Sequence, residues 1–146
     1  MAMVDNDSLS GVYTKNPYNF KHNNVKHLDL RIGGTTKPLL PLTPDFNGKS
    51  CIREYISLLE SMKILGRDAC LPFTYEEFLN GYTFFVWNLT ADYDGQPQNP
   101  ARRENIRLDV KFAEVTKVSI NILLYCVFDS TVMINNSGEV FTDFKD

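Results

Sequence analysis

The chain has 146 residues, of which 43% are hydrophobic and 23% are charged, and its formal net charge is −3. This length suits one domain with a substantial core, and the longest apolar runs fall short of the roughly 20 residues that a membrane-spanning helix needs. Fifteen basic residues against eighteen acidic ones leave no positive excess for phosphates, so neither nucleic acid nor a membrane is predicted as a partner. The polar N-terminus lacks the basic start and apolar stretch of a secretory signal, which predicts an intracellular protein or one in a virion.

The N-terminal part predicts an arm, an aromatic segment and then a strand. Residues 1–11 are small and polar without a buried periodicity, so we expect a flexible N-terminal arm, with residues 12–146 forming a single domain. Tyr13–Phe20 contains the first aromatic cluster. From Val25 to Ile32 apolar residues alternate with polar ones, which is typical of a strand with one buried face, and the following pair of glycines predicts a hairpin turn.

Two helices are predicted in the middle of the chain. Apolar residues recur at three- and four-residue steps over about 50–65, with Ser50 as the expected N-cap and Gly66 at the C-terminal end. Thr74 and Glu77 have the spacing of a capping box, which predicts a short helix at about 75–80.

The second half predicts a sheet, because it is dense in β-branched and aromatic residues. The run at 118–128 is apolar in both registers, so we expect it to be covered on both faces. Strands joined by turns, with the helices inserted in one connection, favour a mostly β, antiparallel, jelly-roll-like β-sandwich. The predicted strands and the terminal hairpin lie at 82–90, 106–112, 118–128, 131–135 and 139–142.

Motifs for catalysis or metal binding are scarce. The chain has no glycine-rich phosphate loop, nucleophile elbow or zinc-protease helix. His22 and His27 are an odd number of positions apart, which would put them on opposite faces of a strand. The three cysteines fit no zinc spacing and are predicted to be reduced, mostly buried thiols. We therefore predict no catalytic residue, no metal and no cofactor; an enzyme using cysteine or histidine is the least favoured of three hypotheses.

Aromatic residues make up 12% of the chain, and they either fill one core or reach the surface as interface residues. The leading hypothesis is a structural protein that associates with copies of itself through its arm, its aromatic segment and two loops. The second hypothesis is a binding module that holds a peptide, glycan or protein in an aromatic groove. The candidate interface residues are Tyr13, Tyr18, Phe20, Asp92, Arg102 and Arg103, and the candidate groove residues are Tyr82, Phe84 and Trp87.

Several short motifs in order along the chain resemble those of one protein family, the capsid-type proteins of Maverick/Polinton-like elements and related double-stranded DNA viruses. The resemblance covers most of the chain. The motifs are Val4-Asp-Asn-Asp7, Gly11-x-Tyr13-x-Lys15-Asn-Pro-Tyr-Asn-Phe20-x-His22, Pro41-Leu-x-Pro-Asp-Phe46, Arg53-Glu-Tyr55, Gly81-Tyr-Thr-Phe-Phe85, Asn88-Leu-Thr90-x-Asp92, Asn105-Ile-Arg-Leu108, Phe112-Ala113 and Tyr125-x-x-Phe-Asp129.

The resemblance implies the C-terminal jelly roll of a double-jelly-roll major capsid protein, whose subunits associate as a trimer. The expected partners are copies of the chain or related capsid subunits, and no catalytic residue is implied. Two features depart from the family pattern. Asn88-Leu-Thr-Ala-Asp92 stands where the family has Asp-Leu-Thr-Pro-Asp, and no sequence precedes the first motif, so the chain holds at most one jelly roll.

Overall fold

A computed structural model describes residues 1–65, 72–89, 104–127 and 132–142. In these residues the chain forms antiparallel strands and short helices. Seven strands and three helices lie within these residues, and every strand pair is antiparallel. The prediction of a mostly β, antiparallel fold is confirmed. In chain order the elements are β1 (Ala2–Asp5), α1 (Asn6–Leu9), β2 (Val25–Ile32), β3 (Thr35–Leu42), α2 (Ile52–Ser61), α3 (Tyr75–Leu79), β4 (Ile106–Phe112), β5 (Ile120–Leu123), β6 (Val132–Ile134) and β7 (Val140–Thr142).

β2 is the centre of a three-stranded sheet, with β3 on one side and β4 on the other. Its apolar residues Leu28 and Leu30 are buried, as the period-two pattern predicts. Gly33 and Gly34 have φ angles of 55° and 85°, which glycine adopts readily, and they make the predicted hairpin turn into β3. β3 contains prolines and lies at the sheet edge, where a missing N–H disrupts no ladder.

The first residues form a buried strand, which corrects the prediction of a flexible arm over residues 1–11. β1 pairs with β5 along its whole length, and its two central side chains have no exposed surface. On its other edge the Met1 amine donates to the Phe85 carbonyl at 2.6 Å, and the Phe85 N–H donates to the Met1 carbonyl at 3.0 Å. A four-residue strand that is buried on both faces has no alternation, so its pattern does not distinguish it from an arm.

The two predicted helices are present with altered ends. α2 is shorter than predicted, because Ser50 forms a bridge with Asp45 and Cys51 takes the N-cap position. Gly66, the predicted end of this helix, lies outside the described residues. α3 begins with the predicted capping box: Thr74 Oγ1 accepts from the Glu77 N–H, and the Glu77 carboxylate accepts from the Thr74 N–H.

Two predicted strands differ from the structure. The described part of the predicted strand at 82–90 contains only isolated bridges, at Tyr82 and Phe84. The predicted strand at 118–128 is reduced to β5, and its residues from Ile122 to Val127 are exposed rather than covered on both faces. The predicted terminal hairpin is present as β6 and β7.

The core is an aromatic and aliphatic cluster with Phe78 near its centre. The ring of Phe78 lies 5.6–6.5 Å from the ring centroids of Phe46, Tyr55, Tyr75 and Phe85. Aromatic rings at these distances and tilts attract one another in addition to the surface they bury. The buried members of the cluster are Met3, Val25, Leu28, Leu42, Phe46, Cys51, Leu58, Phe78, Leu79 and Phe85.

Candidate interaction surfaces

The predicted interface residues of the N-terminal segment differ in exposure. Tyr13 is fully exposed and Tyr18 is 73% exposed, so both rings are available to a partner. Phe20 is half-buried; its N–H donates to the Gly81 carbonyl at 2.8 Å, and its carbonyl accepts from the Thr83 N–H at 3.1 Å. Phe20 therefore belongs to the folded body. The other predicted interface residues, Asp92, Arg102 and Arg103, lie outside the described residues.

Two of the three predicted groove residues, Tyr82 and Phe84, both contact the ring of Phe73. Phe73 stacks against Tyr82 with a centroid distance of 6.0 Å and lies 6.1 Å from Phe84. Phe84 in turn lies 4.9 Å from Phe20. We call these four rings the aromatic surface cluster. Trp87, the third predicted residue, packs against the core, as Phe73 and Phe84 also do, and its Nε1 has no hydrogen-bond partner in the described residues.

Gly81 allows the chain to pass from α3 into this cluster. Its φ angle is 127°, and an added Cβ would lie 2.8 Å from the side-chain oxygen of Asn19. A larger residue at this position would disturb the backbone that pairs with Phe20.

The larger candidate surface lies in the C-terminal part of the chain. Ten large apolar side chains there are between 38% and 88% exposed, five on β5 and the residues after it and five on the β6–β7 hairpin. Apolar patches of this extent on a folded chain are typical of interaction sites. We call them the C-terminal apolar surface: Ile122, Leu123, Leu124, Tyr125, Val127, Val132, Met133, Ile134, Val140 and Phe141.

A groove of about 410 Å³ borders this surface. It lies between the end of β4 at Phe112 and the strand β5, and Val118, Ile120 and Ile122 supply its apolar lining. Thr116, Lys117 and Ser119 complete the walls. The groove has the chemistry to receive apolar side chains from an added strand.

A second, larger groove of about 740 Å³ lies at the same end of the three-stranded sheet, where Phe112 lines both grooves. Lys26, His27 and Lys111 line it together with Asp45 and Asn47. Both lysines are exposed, and the Asp45 carboxylate already accepts from the Gly48 N–H at 2.9 Å. The described residues include no group of three or more histidine, cysteine, aspartate or glutamate side chains that could hold a metal ion.

Asp29 is a buried charge that the alternating pattern does not reveal. Its position in β2 predicts exposure, but only 2% of the residue is accessible. Arg31 Nε donates to Asp29 Oδ2 at 2.7 Å, while Oδ1 has no partner in the described residues. Asp109, directly opposite on β4, pairs with Arg107 at 2.9 Å. Arg31 Nε also lies 3.9 Å from Asp109 Oδ2, so one guanidinium lies beside both facing carboxylates.

Cys51 does not have the environment of a nucleophile. Its thiol is fully buried, and burial, with the nearby Glu54 carboxylate adding to the effect, raises the pKa of Cys51 to about 11. The thiol is thus held in its protonated, unreactive form near neutral pH. Cys126 is exposed, and Cys70 lies outside the described residues.

His22 is held as a neutral ring in the fold. It stacks on Phe46 with a centroid distance of 4.1 Å and an interplanar angle of 10°, and Nδ1 accepts from the Asn24 N–H at 2.9 Å. Burial lowers the pKa of His22 below its usual value of 6.5. Because the unfolded chain then binds more protons, this contribution to folding is complete above pH 6.5 and is lost as the pH falls through the lowered pKa.

Mild acidification is therefore expected to lower the free energy of unfolding through His22. Urea unfolding at a series of pH values from about 7 to about 5, above the range of most carboxylates, measures this decline. The variant H22N keeps an acceptor near the place of Nδ1 but has no titrating ring, so its curve should be flatter. A parallel decline in H22N would assign the pH dependence to other groups.

No match is found for this chain among protein-family models, curated proteins or solved structures. In the described part of the chain, no helix is both long and apolar enough to cross a lipid bilayer.

Proposed function

We propose that the chain is a structural, non-enzymatic subunit: a jelly-roll-like β-sandwich that associates with copies of itself or with related capsid-type subunits, in a virion or inside a cell. The observation that carries the proposal is the C-terminal apolar surface. Its ten side chains lie on strands and their extensions, and their exposure in an isolated chain is unfavourable. A partner that covers these side chains would remove their apolar surface from water, which is favourable.

Two further observations support association over catalysis. Tyr13 and Tyr18 project exposed rings from the N-terminal segment, and tyrosine is enriched at protein interfaces because it combines a large apolar surface with a hydroxyl. The buried thiol of Cys51 is held protonated, which does not suit a nucleophile. The resemblance of the ordered motifs to capsid-type proteins of Maverick/Polinton-like elements favours the same function.

The buried position of β1 makes it an unsuitable contact with another subunit. β1 is paired on both edges, so it stabilises the subunit rather than clamping a neighbour. The proposed contacts are the C-terminal apolar surface, with Tyr13 and Tyr18 as additional aromatic contacts.

Measuring the solution mass of the chain over a range of concentrations tests the proposal. Light scattering coupled to size exclusion should show oligomers whose population rises with concentration through the micromolar range. Y13A is the first variant to compare, because an exposed ring at an interface should affect association while leaving the fold intact. A chain that stays monomeric, alone and with related capsid subunits, would contradict the function.

The aromatic surface cluster favours one alternative, a binding module for a peptide, glycan or protein. Tyr82 is 48% exposed and is held in place by its stack on Phe73, as a ring that receives a ligand would be. Binding of a peptide or glycan array ligand by a monomer, abolished in Y82A and retained in Y13A, would support this alternative over self-association.

A further inference from the structure

One edge of β5 has no pairing strand. Met3 lies opposite Ile122, and its carbonyl accepts from the Lys21 N–H at 3.1 Å, on the side of β1 that faces away from β5. Bonded and non-bonded pairs alternate in an antiparallel ladder, so Ile122, and by the same alternation Ile120, direct their backbone groups away from β1. Within the described residues no strand pairs with this outer edge.

The composition of β5 does not protect that edge. Strand edges that remain unpaired in folded proteins usually carry lysine, proline or a bulge that prevents another strand from adding. β5 has the sequence Ile-Asn-Ile-Leu and contains none of these. The groove of about 410 Å³ lies beside the strand, with Ile120 and Ile122 in its lining. An added strand would therefore find open backbone groups and, beside them, a groove of mixed lining to which Ile120 and Ile122 contribute apolar side chains.

The hairpin of β6 and β7 also has an outer edge that no strand pairs with in the described residues. The Asn135 N–H donates to the Glu139 carbonyl at 3.0 Å, so by alternation Val132 and Ile134 direct their backbone groups to the outer edge of β6. Both faces of the hairpin are apolar and exposed, and an isolated two-stranded hairpin is at best marginally stable in water. The exposed residues are Met133 and Phe141 on one face and Val132, Ile134 and Val140 on the other.

We propose that β6 of one copy of this chain adds to the open edge of β5 of a second copy, and that the second copy returns the same contact. The proposal rests on the proposed function and specifies its contact. A reciprocal exchange of this kind is an isologous interface, in which the same surface is used twice around a twofold axis. Each copy then gains a third strand for its hairpin and a covered edge for β5.

The exposed area of the C-terminal apolar surface and the lack of charge in its strands favour a second copy of the chain as the partner that covers it. The ten side chains of the C-terminal apolar surface expose on the order of 1,000 Å², which exceeds the ~800 Å² that each partner contributes to a standard stable interface. β5, β6 and β7 contain no charged residue, so pairing two copies brings no like charges together. Strands of such composition pair with one another at little electrostatic cost.

Lysine substitutions in the two edges test the proposal on the full chain by sedimentation over a range of concentrations. I122K on β5 and I134K on β6 should each raise the Kd of self-association by about tenfold or more, because each places a charge in the paired edge. The double variant I122K/I134E joins an edge that carries a lysine to one that carries a glutamate at both contacts, so it should recover part of the lost affinity. I52K, on the exposed face of α2, is the matched control and should leave Kd unchanged.

The outcomes separate this contact from the proposed function. Rescue by I122K/I134E supports the exchange, because a loss caused by misfolding would not be reversed by a second charge. A wild-type oligomer that neither lysine variant weakens would overturn the exchange and leave self-association intact. Weakening by I122K alone would indicate pairing of β5 with β5 and would also overturn it. A wild-type chain that remains monomeric would remove both proposals.

Discussion

The substitution F78A is expected to lower the free energy of unfolding by about 3–5 kcal/mol. Phe78 has no exposed surface, and four aromatic rings surround it. Truncation to alanine removes its burial and leaves a cavity that neighbouring rings can fill only in part. Domains of this size have only about 5–15 kcal/mol of total stability, so the variant should be close to unfolding at physiological temperature.

Urea unfolding followed by circular dichroism measures the effect of F78A, and two variants calibrate it. F78L keeps much of the buried volume and should lose less stability than F78A. Y13A removes a fully exposed ring and should change the unfolding free energy by no more than about 0.5 kcal/mol. Equal losses in F78A and Y13A would show that Phe78 is not at the centre of the core.

The substitution M3A is expected to cost about 2–5 kcal/mol, although it lies three residues from the start of the chain. Met3 has no exposed surface and belongs to the core cluster. A methionine in a flexible arm would contribute almost nothing to stability. The measurement therefore separates a buried β1 from the arm that the composition predicts.

M62A is the matched control for M3A. Met62 is 40% exposed at the C-terminal end of α2, and its truncation should have a much smaller effect on the urea midpoint. A loss of stability in M3A no larger than that in M62A would contradict the buried β1 and favour the flexible arm that the composition predicts. Hydrogen exchange at the Val4 amide gives an independent measurement, because a paired strand protects it.

The sequence predicts those elements whose local chemistry is sufficient to define them. The glycine pair at Gly33 and Gly34 supplies the φ angles that a tight hairpin requires, and Thr74 with Glu77 completes its capping box without help from other elements. The alternation in β2 predicts a buried face, and Leu28 and Leu30 are buried, but β4 has the same alternation and none of its residues is fully buried. β1 is different, because it is buried on both faces and its partner strand is distant along the chain.

The candidate surfaces could be predicted only in part. Tyr13 and Tyr18 are exposed where the aromatic segment predicts interface residues, but Phe20 is tied to the Gly81 turn by backbone bonds that no pattern reveals. The run after Val118 has the composition of a strand covered on both faces, and composition does not specify whether the cover comes from the same chain. Exposure is a property of the tertiary arrangement, which explains why the sequence predicts a covered strand at 118–128 although Ile122–Val127 are exposed.

The pairing of Ala2 with Leu123 also determines when this fold can be completed. During synthesis β1 leaves the ribosome well before β5, because all the strands of the three-stranded sheet and both longer helices lie between them in the chain. Closing so long a loop loses chain entropy before any contact compensates, so this two-stranded sheet should form late. Until then a nascent chain displays an apolar N-terminal segment without its partner, and this interval is when misassembly and chaperone binding would occur.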